Sequence, residues 1–322
     1  MILIVGGYLD PHVTSVTSHL EKLGAEFIIL DRFDFEKSGS IAISFAQNAA
    51  LHLGAGRHLT EVSSIWWRQK PPFIVPSEKI SEYYDTIFAT QEWNHIQRYL
   101  EYKYRNVYSI NNPSATLMVH NKIYQLEIAS EAGFIIPKSI FSNNPKQIDA
   151  FVLSIEPEKA IFKTLTAYMN PTGLLTYTTI VDRSMINNKK GSIALAPGIY
   201  QEYSKKKFEV RVTVVGIEVF AVKINPPVDS DASIDWRSGI TEDIYEKYEL
   251  PTNVKSQILE LHARFGLVYG AYDFILDEND NFIFLEVNPS GQWLWLERRL
   301  NMPISYNIAN LLVETREKEI HS

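Results

Sequence analysis

The 322 residues contain no cysteine at all. That removes disulfides, thiolate metal centres and cysteine nucleophiles in one step, and it suits a reducing compartment. Long apolar runs are also missing, since none approaches the ~20 residues a bilayer span needs. The opening "MILIVGGYLD" lacks a basic n-region and reaches Gly6-Gly7 after five residues, so it reads as a first strand rather than a signal peptide. There is no low-complexity tract and no internal repeat. A formal net charge of −7 argues against a protein built to hold nucleic acid. No G-x-x-x-x-G-K-[ST] loop occurs, and "GGYLDP" lacks the G-x-G-x-x-G spacing of a dinucleotide site. These absences predict a globular protein of the cytoplasm, outside the membrane. With 45% hydrophobic residues, the chain is large enough to bury a core in two or three units.

The chain begins with strand–helix–strand order. "ILIVGG" and "EFIIL" are short apolar runs around the helically spaced "VTSVTSHLEKLG", which Gly24 closes, so a parallel α/β unit is expected. "SSIWW" adds a strand, and the segment from Pro76 to Tyr104 reads as a long helix. Asn111-Asn112-Pro113 marks a boundary, after which one helix is expected to run toward Gly133. "AIFKT", "YTTIVD" and "GIYQEYS" read as strands, and "FEVRVTVVGIEVFAVKI" as a hairpin turning near Gly216. "NVKSQILELHARFGL" is a helix, and "YGAYDFIL" and "NFIFLEV" are strands around the turn "DENDN".

Chemistry concentrates at that last turn. Side chains two apart on a strand share a face, so Glu286 and Asn288 project together, and Asp273 on the preceding strand falls close to Glu286. Two carboxylates and an amide oxygen suit Mg²⁺, which takes few protein oxygens and completes its shell with phosphate and water. An Asp and a Glu on an exposed sheet face is the alternative. Lys163 interrupts an apolar strand, where a phosphate partner would account for its charge, and Lys122 follows a turn at a helix start; for each, a solvated surface lysine is the alternative. Arg211 and Lys223 sit on the two arms of the Gly216 hairpin. Cations around an acidic triad suggest polyphosphate chemistry on a non-Walker fold. His120 and His262 read as structural or exposed, and the run Lys205 to Lys207 as a solvated hairpin tip. Trp66, Trp67, Trp93, Trp236, Trp293 and Trp295 are either core or the lining of a peptide groove, with Trp236 singled out by its polar loop.

The ordered set "HNKIYQLEIASEAGFIIPKS", "IFKT", "QEYSKKKFEVRVTVVG", "DWRSG" and "YDFILDENDNFIFLEVNPSGQWLWLE" resembles the ATP-grasp ligases. Within them it is similar to the graspetide (microviridin-type) peptide macrocyclases, relatives of the ribosomal-protein glutamate ligases. The resemblance implies an α/β (α+β) ATP-grasp fold with an N-terminal parallel α/β pre-ATP-grasp domain. It divides the chain into residues 1–113, a central subdomain at 114–200 and a metal-bearing subdomain at 201–322. It implies ATP and Mg²⁺ as cofactors and a precursor peptide with a leader segment as partner, with no nucleic acid, no membrane and a homodimer as the assembly.

Residue by residue, the resemblance gives Lys122 and Lys163 to the phosphates and Glu202 and Tyr203 to the adenine edge. Glu209 goes to the ribose, and Lys223 near the γ-phosphate. Arg211 falls beside the transferred phosphate, Arg237 near the acceptor carboxylate, and Asp273, Glu286 and Asn288 on the metal. The implied reaction is ADP-forming: an Asp or Glu side chain of the peptide becomes an acyl phosphate, and a Ser/Thr hydroxyl or Lys amine then closes an ester or amide ring. A ligase adding a free amino acid to a protein tail or metabolite is the second reading, and a non-catalytic ATP-binding module the third. Two features depart from the pattern. The segment after Lys163 holds only Gly173, and Arg68 is followed by Gln69 where a second arginine is usual.

Overall fold

The computed structural model describes residues 1–31, 41–44, 50–53, 57–59, 61–68, 83–155, 160–166, 178–225 and 244–320. Strand β1 (Ile2–Val5) lies between β2 (Phe27–Leu30) and β6 (Ser64–Trp67), and β6 pairs with β7 (Tyr108–Ile110), all parallel. Every residue of β1 and β6 is buried, as expected where helices cover both faces of a parallel sheet. Helix α1 (Pro11–Lys22) starts on Asp10, whose side chain accepts from His12 N, with Pro11 at the first turn. Strands β3 (Ile41–Ser44), β4 (Ala50–Leu53) and β5 (Arg57–His58) form a small antiparallel sheet. Helix α2 spans Tyr83–Lys103, which matches the expected helix over the described part of Pro76–Tyr104.

The single helix expected after Asn112 is two, α3 (Pro113–Val119) and α4 (Lys122–Glu131). The break falls at Asn121, whose side-chain oxygen accepts from Ile123 N at 3.0 Å and caps a new helix. Next come β8 (Ser139–Ser142), α5 (Pro145–Leu153), β9 (Ala160–Lys163), β10 (Thr179–Val181), α6 (Arg183–Asn188), α7 (Lys190–Leu195) and β11 (Gly198–Glu202). Their four strands form an antiparallel sheet in the order β10-β9-β11-β8.

The last sheet runs β14-β13-β12-β15-β16, built from β12 (Phe208–Val215), β13 (Glu218–Ile224), β14 (Tyr245–Lys247), β15 (Tyr269–Leu276) and β16 (Phe282–Asn288). Gly216, at φ +61°, makes the tight turn between β12 and β13. One sheet face packs on α4 and on α8 (Thr252–Arg264), through Val210, Val212, Val214, Leu126 and Ile258. The other shares a core with the first sheet: Val215, Val222 and Ala271 join Ile2, Ile4, Val13 and Trp66 around the fully buried Trp293. Helices α9 (Leu294–Leu300) and α10 (Ile304–Ile320) complete that core, and Ser64 Oγ donates to Leu312 O at 2.7 Å. Among the described residues no helix is long and apolar enough to cross a membrane.

His262, on α8, is buried, with its Nδ1 2.7 Å from the Tyr272 hydroxyl, which supports the structural reading of this residue. Burial pushes its pKa down to about 4, only partly opposed by a hydrogen bond with the Val268 backbone. The unfolded chain therefore binds the extra proton first. The stability this neutral ring carries is complete above about pH 6.5 and drains away as pH falls toward 4, by up to ~3 kcal/mol. Thermal melts across that interval should show a falling midpoint, with a visibly flatter profile in His262→Gln.

Candidate active site

The site grows out of strand register. Arg211 on β12 faces Asp273 on β15, and Asp273 faces Glu286 on β16. Asn288 faces Ala271, so it shares that side two residues along. The register shifts between Asp273 and Phe274, a β-bulge beside the Asp273–Glu286 pair, and Leu285 is the extra residue with no partner in the ladder. Arg211 Nη1 lies 2.7 Å from both oxygens of Asp273. Burial disfavours the guanidinium charge, but attraction to Asp273, with help from Glu286, outweighs it and raises the pKa. Arg211 Nε is buried and has no partner among the described residues, so a donor is in reserve for an anion.

Helix α4 carries Lys122 to the same place. Gln125 is buried and fixes the helix on β16 by a reciprocal pair: its Nε2 donates to Val287 O and its Oε1 accepts from Val287 N, each at 2.9 Å. Lys122 Nζ then lies 3.1 Å from Glu286 Oε2. After β16 the chain turns sharply. Asn288 Oδ1 accepts from Ser290 N at 3.0 Å, and Gly291 brings its backbone so close that a Cβ there would meet Ala271 Cβ at 2.6 Å and Arg211 Nη2 at 3.0 Å.

Three of the sequence-predicted oxygen donors and two of the cations are thus together: Asp273, Glu286, Asn288, Arg211 and Lys122. The oxygen set fits a hard divalent ion. Two facing carboxylates and an amide oxygen are few protein ligands of the kind Mg²⁺ takes, with phosphate and water suited to the remaining positions. Among the described residues no group of three His, Cys, Asp or Glu could hold a metal.

The other predicted residues are spread around this cluster. Lys163 is at the end of β9, its Nζ donating to Gln201 Oε1 at 3.1 Å. Glu202 ends β11 and turns its carboxylate to Lys138, accepting from the main-chain N at 3.0 Å. Tyr203 follows, half-buried. Glu209 shares the Arg211 face and is buried against Lys206. Lys205 and Lys207 are solvated as expected, but the run lies between strands of two different sheets rather than at a hairpin tip, and the middle lysine, Lys206, is drawn inward by a buried carboxylate. Lys223 departs from expectation too. It opposes Val210, which puts it on the other side of the sheet from Arg211, 4.8 Å above the Phe208 ring and 3.9 Å from Glu246. Trp66, Trp67 and Trp293 are core, while Trp93 and Trp295 are half-buried. His120 is exposed, its Nδ1 on Thr116 O. Arg237, Trp236 and Gly173 lie outside the described residues.

Comparison with known proteins identifies the family and the fold. A model described as the RimK-like ATP-grasp domain matches residues 119–312. The chain belongs to the RimK-like ATP-grasp family. Its fold is similar to that of a RiPP-associated ATP-grasp ligase from Chryseobacterium gregarium, solved with ADP and a leader and core peptide, at 27% identity over 97% of this chain and 96% of that one, with a TM-score of 0.85. The macrocyclase MdnC from Microcystis aeruginosa MRC, solved with its precursor peptide MdnA, is 27% identical over 97% and 99% of the two chains, with a TM-score of 0.83. PsnB, an ATP-grasp ligase solved with a minimal precursor variant, Mg and ADP, shares the fold at 22% identity over 98% of both chains, with a TM-score of 0.77. No curated protein matches the sequence.

Proposed function

We propose that this chain is an ADP-forming, Mg²⁺-dependent ligase that closes ester or amide rings in a ribosomally made precursor peptide. The carrying observation is the facing pair Asp273 and Glu286, bound from either side by Arg211 and Lys122. Likeness along nearly the whole chain to two peptide-bound ligases supports the peptide as substrate. Under this reading residues 1–113, 114–200 and 201–322 are the three domains, and the assembly is a homodimer working in the cytoplasm, where ATP and new peptides meet.

In the reaction, a carboxylate oxygen of the peptide attacks the γ-phosphorus of ATP, ADP leaves, and a hydroxyl or amine of the same peptide displaces phosphate from the acyl phosphate. The protein's contribution is positioning and charge neutralisation. Asp273, Glu286 and Asn288 would hold Mg²⁺, which would supply electrostatic stabilisation of the phosphates. Arg211, with Nε in reserve, sits where negative charge develops. Lys122 and Lys163 hold phosphate, Glu209 the ribose and Tyr203 the adenine edge. Glu202 contributes its backbone there, since its carboxylate is spent on Lys138. Arg237 is assigned to the acceptor carboxylate. Lys223 keeps no role at the γ-phosphate, because it is on the opposite sheet face.

Mass spectrometry of a candidate precursor incubated with the protein, ATP and Mg²⁺ distinguishes the readings. Ring closure removes one water and releases one ADP per ring. A gain of an amino-acid residue would instead favour the glutamate-ligase-like reading, and bound ATP without turnover the non-catalytic one.

A further inference from the structure

A second polar network ties the first sheet to the turn that follows β16. Asp10 accepts from Arg68 Nε at 2.8 Å and pairs with His12 Nδ1 at 2.9 Å. Burial alone would raise the Asp10 pKa, but the His12 hydrogen bond and the Arg68 charge outweigh it and keep the carboxylate ionised. An ionised carboxylate assigns the ring proton to Nδ1 and leaves Nε2 as an acceptor. That Nε2 receives the main-chain N–H of Trp293 at 3.3 Å and of Leu294 at 3.4 Å, where α9 begins. Arg68 Nη1 donates to Ser290 O at 3.1 Å, and the guanidinium lies 5.1 Å over the Trp293 ring.

The gripped residues lie next to the working ones. Ser290 N donates to the Asn288 side chain, and Gly291, between Ser290 and Trp293, lies against Arg211 Nη2. A shift of Ser290 or Trp293 would therefore move an oxygen of the metal set and the arginine beside it. We propose that Arg68 and His12 are positioning residues: they clamp the turn from Asn288 to Trp293 against the first sheet and so hold Asn288 and Arg211 in register with the Mg²⁺–triphosphate. This rests on the ligase reading above, and it assigns the first α/β unit a part in metal affinity.

The test is calorimetric titration with AMP-PNP, with and without Mg²⁺, on the full chain. His12→Gln returns an amide oxygen to the level of Nε2, whereas His12→Asn keeps only the Asp10 partner. Arg68→Gln removes the hold on Ser290. In His12→Asn and Arg68→Gln the affinity gained from Mg²⁺ should fall about tenfold, as for loss of an orienting contact behind a metal ligand, while Mg²⁺-free affinity stays within about twofold of wild type. His12→Gln should recover most of the gain. An undiminished Mg²⁺ gain in His12→Asn or Arg68→Gln overturns the proposal, and so does an equal loss with and without the ion. Should Arg68→Gln not fold, the two His12 variants decide alone. If wild type bound no AMP-PNP, the ligase reading itself would fall, an outcome distinct from wild-type binding with insensitive variants.

Discussion

Glu286→Gln is expected to cut ADP release in the presence of precursor peptide by about 10²–10³-fold while leaving the protein folded. Glutamine keeps the shape of the side chain and removes the charge, so the oxygen set proposed to face the phosphates loses one of its two anions. The folded state has little to lose. Lys122 and Glu286 are about a quarter exposed and 3.1 Å apart, and a half-open pair of this kind contributes on the order of 1 kcal/mol or less. The two effects are therefore separable. A coupled ADP assay should show the drop, and a thermal melt in the absence of ligand should barely move. ADP release equal to wild type would take Glu286 out of the metal site.

How much of this was legible in the sequence differs from residue to residue. Glu286 and Asn288 share a face because alternation along a strand is a local property, and "DENDN" is a turn short enough to bring Asp273 opposite. Lys223 shows how the pairing of the two arms decides the face: the sequence put it on the arm opposite Arg211 but not on a side of the sheet. The hairpin pairs Val215 with Glu218, so Arg211 opposes Val222 and the lysine next to it points to the other face. Nothing in "VGIEV" declares that offset. Asn121 is a cap only once a helix break is known, since Asn within a helical pattern reads equally well as a surface residue. Lys206 resembles its solvated neighbours, and only the spacing to Glu209, three residues on, hints at an inward pair. The clamp of Asp10, His12 and Arg68 on Ser290 and Trp293 joins positions more than two hundred residues apart. No periodicity or local motif reports such contacts, and "DPH" by itself is simply a helix start. The C-terminal helices are hidden for the same reason: the buried Ile304, Ile308 and Leu312 of α10 pack into a core shared with α1 and the first sheet.

Arg211→Leu should lower stability by about 3–5 kcal/mol, the usual consequence of stripping one partner from a desolvated ion pair. Arg211 is buried, and its Nη1 reaches both oxygens of Asp273 at 2.7 Å, so the leucine variant strands that carboxylate in a largely enclosed position. Two further measurements separate charge from packing. In Arg211→Leu/Asp273→Asn no charge is stranded, and much of the lost stability should return, yet ADP release should stay at background because the phosphate cation and a metal oxygen are both gone. Mg²⁺ gives the sharper result. An ion bound at Asp273 and Glu286 stabilises the folded state by mass action and also compensates the orphaned carboxylate. The melting midpoint of Arg211→Leu should therefore rise with added Mg²⁺ by more than that of wild type, while the double variant, short of one carboxylate, should respond less than either. A Mg²⁺ response equal in all three proteins would mean that the ion does not sit at Asp273, and that the Arg211–Asp273 pair is a brace for the sheet rather than part of the site.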